Sequence, residues 1–223
     1  MSARIPFPDP DAAADALTFA GRAARLGDGG VRLQAAGGTL AMTAAPLAPR
    51  GLLDPTPTIL ALRALPVDPE LECDLVVEAS ALRAVDDVTL LLPETAVSPA
   101  WAGISPPRGG WSAMSPIEAS TLASRAQWGI AAVAEALPVD PGEDVVRSVR
   151  ATVWGEADAA LHDLPRGTAF AAFAMGFIGG QEEARVREGG SWVRLTLDRG
   201  HVLVRRPVRS GLTAVRTTGA PRD

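Results

Sequence analysis

Lysine, tyrosine and asparagine do not occur in this chain of 223 residues, and all 21 of its basic residues are arginines. Without lysine there is no Schiff-base nucleophile, no pyridoxal phosphate anchor and no P-loop lysine. Histidine occurs twice, as His162 and His201, and cysteine once, as Cys73. A disulfide within the chain is therefore impossible, and a zinc site built from Cys and His lacks the ligands it needs. A lone cysteine fits a reducing compartment. No metal and no cofactor are expected. Ala, Gly, Pro, Val and Arg are used heavily, and a genome rich in G and C accounts for many of the Ala- and Arg-rich features below.

Long apolar runs are missing as well. The most apolar window is "GTAFAAFAMGFIGG", from Gly167 to Gly180. It is shorter than the ~20 residues that a membrane span requires. The opening residues, MSARIPFPDPD, hold no apolar run, so no secretory signal is read there. The expectation is a soluble cytoplasmic protein without a membrane span. Hydrophobic residues make up 47% of the chain, enough for a sizeable core.

What is present divides into four stretches. Asp9-Pro10 is a helix entry, with aspartate as cap and proline at the first helical position. The helix is expected over Asp11–Leu26. A hairpin follows, with Val31, Leu33 and Ala35 on one face, a turn at Gly37-Gly38, and a return through Leu40 and Met42. Further strands fit Thr58–Leu65, Asp74–Leu82 and Val88–Leu92. Pro93 to Met114 reads as a long loop. Ser115-Pro116-Ile117-Glu118 has the form of a capping box. It predicts a helix to about Leu137 with an apolar stripe of Ala119, Leu122, Ala123, Ala126, Ile130, Val133, Ala134 and Leu137. Asp140–Glu143 has the same form and opens a helix through Val145, Val146, Val149 and Val153. A third helix fits Gly167–Ile178. Strands return at Ala184–Glu188, Ser191–Leu197 and His201–Arg206, with a last one at Leu212–Thr217 and a frayed tail over Thr218–Asp223.

Segregated helices and strands argue for an α+β fold. Antiparallel strand runs stand at both ends of the chain, packed with a central set of three helices and one N-terminal helix. Residues 1–223 are read as one domain with sub-parts 1–92, 115–180 and 184–217. "ALPVDP" occurs at Ala64–Pro69 and again at Ala136–Pro141. The residues after each copy differ in pattern, so the repeat is read as a recurring entry turn rather than a duplication.

The first candidate site is the loop holding Trp101, Arg108, Gly109, Gly110 and Trp111. Arginine grips anions in a fork, tryptophan stacks on flat groups, and glycine permits close backbone approach. The competing reading is that both tryptophans fold back and cover the edge of the core. Gly110–Met114 resembles a nucleophile elbow only in part, because Met114 stands where the second glycine belongs, so no serine hydrolase is read. Trp128 lies off the stripe of its helix, and burial is expected for it. Together with Phe170, Phe173 and Phe177, set on one side of the third helix, it is a candidate interface residue. The Gly167–Ile178 helix is apolar nearly all round and is a candidate homodimer contact. His162 beside Asp163 reads as a capping or surface histidine, His201 as a surface or edge residue, and Cys73 as a small buried hydrophobe.

Charge is unevenly spread. Ala184–Asp223 carries nine arginines against three acids, a formal +6, while the rest carries a formal −11. A basic sheet of this kind meets solvent, docks on an acidic surface, or binds nucleic acid; nucleic acid ranks last because no RNA-binding signature is present. No catalytic constellation is evident. The expected function is a non-catalytic binding or assembly module. The alternative is a small-molecule anion-binding protein or enzyme that uses the Trp101–Trp111 loop with Arg108. A pocket holding Arg108, a tryptophan and a carboxylate with a perturbed pKa would favour that alternative.

Overall fold

Two antiparallel meanders meet edge to edge and form one sheet. The computed structural model describes residues 4–51 and 54–206. The expected strand at Leu212–Thr217 and the tail beyond it lie outside the described residues. In chain order the elements are β1 (Arg4–Pro6), α1 (Pro10–Ala23), β2 (Gly30–Ala36), β3 (Thr39–Leu47), β4 (Thr58–Pro66), β5 (Cys73–Glu78), β6 (Arg83–Asp86) and β7 (Thr89–Leu91). There follow β8 (Ser112–Ala113), β9 (Ile117–Glu118), α2 (Ala119–Ala136), α3 (Glu143–Gly155), β10 (Ala157–Asp158), β11 (Leu164–Pro165) and α4 (Gly167–Ala174). The last are β12 (Glu183–Gly189), β13 (Trp192–Leu197) and β14 (Gly200–Arg205). The main sheet runs β5-β2-β3-β4-β14-β13-β12-β8, and β9 pairs with β12. β1, β7 and β6 form a separate three-stranded sheet.

The sheet order reads the same from both ends. Each half is a helix followed by a three-stranded meander: α1 with β2-β3-β4, and α4 with β12-β13-β14. The halves join where β4 pairs antiparallel with β14, from His201 opposite Leu62 to Arg205 opposite Thr58. The two ALPVDP copies do not mark this internal likeness. The first ends β4 and the second connects α2 to α3.

Alternation along each strand separates two faces. Ile59, Ala61 and Leu65 of β4, Val193 and Leu195 of β13, and Val202 and Val204 of β14 join the large core beneath the helices. Leu60 of β4, Trp192 of β13 and Leu203 of β14 belong to a smaller cluster on the outer face. On the helix side, α1 buries Ala12, Ala13, Ala16, Phe19, Ala20 and Ala23, and α4 buries Ala169, Ala171 and Ala172. Mostly small side chains on the contact stripes let both helices lie close to the strands. Asp9 caps α1 by accepting from the Ala12 N–H at 2.8 Å, with Pro10 at the first position, as the sequence indicates. Gly37 and Gly38 turn the β2–β3 hairpin with φ of 55° and 78°.

Several expectations change. Neither capping box forms. Ile117 and Glu118 are extended and pair with Ala184 and Glu183 of β12, and the Ala119 N–H donates to the Glu182 carbonyl. Pairing with an edge strand buries Ile117 and wins over a local cap. Asp140 has a left-handed φ of 55°, so α3 starts only at Glu143 behind Gly142. The strand expected over Asp74–Leu82 ends at Glu78, and a short 3-10 turn at Ala79–Ala81 follows.

The third helix is also shorter than expected. It stops at Ala174, and Gly176, with φ of 65°, folds Phe177 back against Phe19 with ring centroids 6.4 Å apart. Phe170 stacks on Trp154 at 4.4 Å, while Phe173 stands 40% exposed. The three phenylalanines therefore do not share one side. The Gly167–Ile178 segment packs within the chain against α2, α3, β4 and β14, which leaves Phe173 as its exposed large side chain. Trp128 is exposed rather than buried, with the Arg166 guanidinium 4.2 Å above its ring. His201 sits in the middle of the sheet, between β13 and β4, not at an edge. Among the described residues no helix is long and apolar enough to cross a membrane.

Two glycines of helix interiors test the packing with opposite signs. Gly21 of α1 has open space where a Cβ would go, so Gly21→Ala is expected to stabilise by about 0.5–1 kcal/mol. Gly129 of α2 lies against the Trp154 ring, which a Cβ would overlap. Gly129→Ala is expected to destabilise by about 1–3 kcal/mol despite the gain in helix propensity. Thermal melts of both variants check the pair.

Candidate functional site

The Pro93–Met114 segment is a strap laid across the outer face of the sheet. Its backbone is tied down at three places: Val97 N–H to Val76 O at 2.8 Å, Ala102 O to an Arg32 terminal nitrogen at 2.8 Å, and Met114 N–H to Val186 O at 3.0 Å. Trp101 sits in a short 3-10 turn, Ala100–Gly103. It is buried among Ala45, Leu60, Val76, Trp192 and Leu203, and its indole N–H donates to Asp28 Oδ2 at 2.8 Å. The fold-back reading therefore holds for Trp101.

Arg32 joins three elements. Its Nε and one terminal nitrogen hold the two oxygens of Asp74 on the edge strand β5, each at 2.8 Å. The other terminal nitrogen takes the strap carbonyl. Hydrogen bonding to Arg32 first, and its charge in addition, hold the Asp74 carboxyl below the usual carboxylate range; the same bond raises Arg32. The adjacent Cys73 thiol is pushed up, mainly by burial.

Between strap and sheet lies a half-open groove of about 520 Å3. Ala41, Leu60, Leu62 and Leu203 are on the sheet side, and Trp101, Ile104 and Pro106 on the strap side. Arg32, Asp74 and Arg108 stand at its rim. A tryptophan, Arg108 and a carboxylate with a shifted pKa thus meet in one pocket. The carboxylate is already held by Arg32, so it is not a free acid or base. Gly109 and Gly110 are exposed with no close neighbours, and Gly110 has φ of 76°. They serve the turn rather than the groove wall.

Trp111 is not in this groove. It rests on Gly189, where a Cβ would come 3.1 Å from the ring, and carries the Arg194 guanidinium 4.7 Å from its ring centroid. Sequence reasoning singled out both tryptophans but missed Asp28, Arg32, Asp74 and Arg194. No spacing along the chain signals these partners, because each pair is made by strand pairing or by the strap.

The histidines are structural in their contacts. His162 ends a short 3-10 turn with a left-handed φ of 57°, and its Nε2 lies 2.9 Å from the Ser115 carbonyl. His201 Nδ1 lies 3.0 Å from Thr196 Oγ1. Burial, followed by the charges of Arg194, Arg185 and Arg63, lowers its pKa below 6.5. Among the described residues no three His, Cys, Asp or Glu side chains gather where they could hold a metal ion. A second concavity of about 350 Å3 opens between α1 and the turn after α4. There Asp15 pairs with Arg63, and Arg22 donates to the Met175 carbonyl.

Two family models match the chain. Residues 1–103 match one described as a domain of unknown function (DUF8010), and residues 106–209 match another described as a domain of unknown function (DUF8185). Their boundary falls within the strap. A search of curated proteins finds no match. Among solved structures the chain is similar to a DNA polymerase sliding clamp from Caulobacter crescentus, at 13% identity and a TM-score of 0.48, covering 100% of this chain and 70% of that one. It is also similar to a sliding clamp, DNA polymerase III subunit beta, from Bartonella birtlesii, at 12% identity and a TM-score of 0.49, covering 95% and 66%. The DNA polymerase III subunit beta from Pseudomonas aeruginosa is similar at 13% identity and a TM-score of 0.48, covering 91% and 64%. The ranking of nucleic acid as the last partner is withdrawn, since the similar structures are DNA polymerase subunits; likenesses at this identity and TM-score assign no partner to this chain.

His201 generates a pH prediction. Its folded pKa is lowered, so the unfolded chain binds the proton first as pH falls through 6.5. The contribution of neutral His201 to stability is present above that value and is lost on acidification. His201→Gln is expected to flatten the stability profile between about pH 7 and pH 5. Urea denaturation across that range measures the slope.

Proposed function

We propose that this chain is a non-catalytic binding or assembly module whose docking site is the groove beneath the strap. The observation that carries this reading is the strap itself. It is tied to the sheet through Trp101, Arg32 and strand-type hydrogen bonds, and it leaves a half-open groove between itself and the sheet. Leu62 offers apolar surface to an occupant above the buried Leu60 and Leu203, and Arg32 and Arg108 set charge at the rim. This pattern, an apolar floor with a few convergent polar groups, suits recognition of a short partner segment. Acid–base chemistry needs a free titratable pair in mutual reach. The groove carboxylate Asp74 is engaged by Arg32, so its geometry supports binding over catalysis.

Arg108 favours a second reading. It is exposed at the rim and makes no ion pair among the described residues. A small anionic molecule held by its guanidinium is the alternative occupant.

Panning a random peptide library on the full chain tests the first reading. Enriched peptides are expected to bind at least ~10-fold more weakly to Leu62→Arg, which fills the groove with a charged side chain, while that variant keeps its cooperative melt. Equal binding to both proteins sinks the groove as the docking site. Arg108→Ala separates the second reading: it leaves an apolar peptide bound and abolishes binding of a small carboxylate or phosphate probe.

A further inference from the structure

A second cluster lies on the outer face, apart from the groove. Arg187 of β12 stands directly opposite Arg194 of β13. Arg185, two residues back on the same face of β12, stands opposite Thr196, which in turn is opposite His201 of β14. Directly opposite residues have Cβ atoms about 5 Å apart, and like charges there repel. Six other arginines, Arg32, Arg63, Arg125, Arg147, Arg166 and Arg206, take carboxylate partners. None of Arg185, Arg187 and Arg194 does so among the described residues. The chain has 26 acids for 21 arginines, so a shortage of carboxylates does not explain it.

Arg194 is also held in place. Its guanidinium lies on the Trp111 ring, and that ring is fixed from behind by Gly189 and by its own N–H to the Pro107 carbonyl at 3.2 Å. The Arg194 Nε is buried and has no hydrogen-bond partner among the described residues. A buried charged donor without an acceptor is costly. Burial first, then Arg187, lowers the Arg194 pKa, and burial first, then the charges of Arg194, Arg185 and Arg63, lowers that of His201. One occupant relieves the repulsion and the unmet donors together: an anion with several acceptor oxygens.

We propose that Arg185, Arg187 and Arg194 form an oxyanion subsite for a phosphate group, with Trp111 as the positioning residue that holds Arg194 flat. Three guanidinium groups call for more than a single negative charge. A phosphate supplies up to two, with three acceptor oxygens that match guanidinium forks. Arg185 and Arg187 are exposed and reach the group from solvent. His201 lies half-buried beside them and senses the field without ligating. The charge comes from one free phosphate ion or nucleotide monoester, or from successive singly charged phosphodiesters of an oligonucleotide backbone. The subsite stands on β12 and β13, so it does not depend on the groove reading.

The two histidines provide the readout, one near the cluster and one elsewhere. An NMR pH titration of the full chain compares sodium phosphate with sodium chloride at equal ionic strength. Phosphate is expected to raise the His201 pKa by about half a unit or more, while His162 follows the chloride control. Arg185→Gln and Arg187→Gln, both at exposed positions, are expected to weaken the response about tenfold in phosphate concentration and to keep the wild-type circular dichroism. Trp111→Phe retains the response because a ring remains, and Trp111→Ala loses it. Adenosine monophosphate and a single-stranded oligothymidylate, at equal phosphate concentration, identify the source: whichever saturates lowest is the preferred bearer, and equal saturation assigns the site to the bare phosphate. A His201 pKa that is the same in phosphate and chloride overturns the proposal. So does a shift that survives unchanged in both arginine variants.

Discussion

The antiparallel pairing of β4 with β14 is the contact on which the other features depend. Each half of the chain supplies four strands to the sheet's path, β5-β2-β3-β4 and β14-β13-β12-β8. Joined at this seam they form a continuous sheet with a helix-covered side and an outer side. Ile59 and Val204 are paired across the seam and fully buried beneath the helices, as are Ala61 and Val202. The same pairing sets Leu60 beside Leu203 on the other face, where both become part of the groove. A slip of one residue would send these side chains to the wrong faces.

The two faces are stabilised differently. On the helix side, alanine-rich stripes of α1 and α4 lie close to the strands, and phenylalanines fill the ends. On the outer side no α-helix covers the sheet among the described residues. The strap takes that role, with Trp101 as its apolar anchor and Arg32–Asp74 as its polar one. A strap buries less than a helix layer does, so it leaves part of the sheet accessible. The groove is the uncovered remainder in the first half, and the arginine cluster beside Trp111 is its counterpart in the second.

The sequence made some of this legible and not the rest, for physical reasons. Local chemistry was readable where the contacts are local: the Asp9-Pro10 entry, the Gly37-Gly38 turn and the alternation of β13. It misled where a distant strand competed with a cap. Ser115–Glu118 has good capping chemistry, but Ile117 gains more by pairing with Ala184 and becoming buried. Phe170, Phe173 and Phe177 have helical spacing, yet a left-handed Gly176 ends that register. Trp101 and Arg108 were recognisable as unusual residues in a long loop, whereas Arg32 and Asp74 were not, because 42 residues separate them.

By itself the sequence determined the class, α+β with antiparallel strands, since alternation and helical periodicity are written in neighbouring residues. It also excluded lysine-based and disulfide chemistry outright, because the atoms are not present. Tertiary structure alone decided that two strand runs become one sheet, that the strap crosses its outer face, and that Arg185, Arg187 and Arg194 share one face of it, with Arg194 on Trp111. Those outcomes follow from pairing between residues far apart in the chain, and no local pattern encodes which edge will meet which.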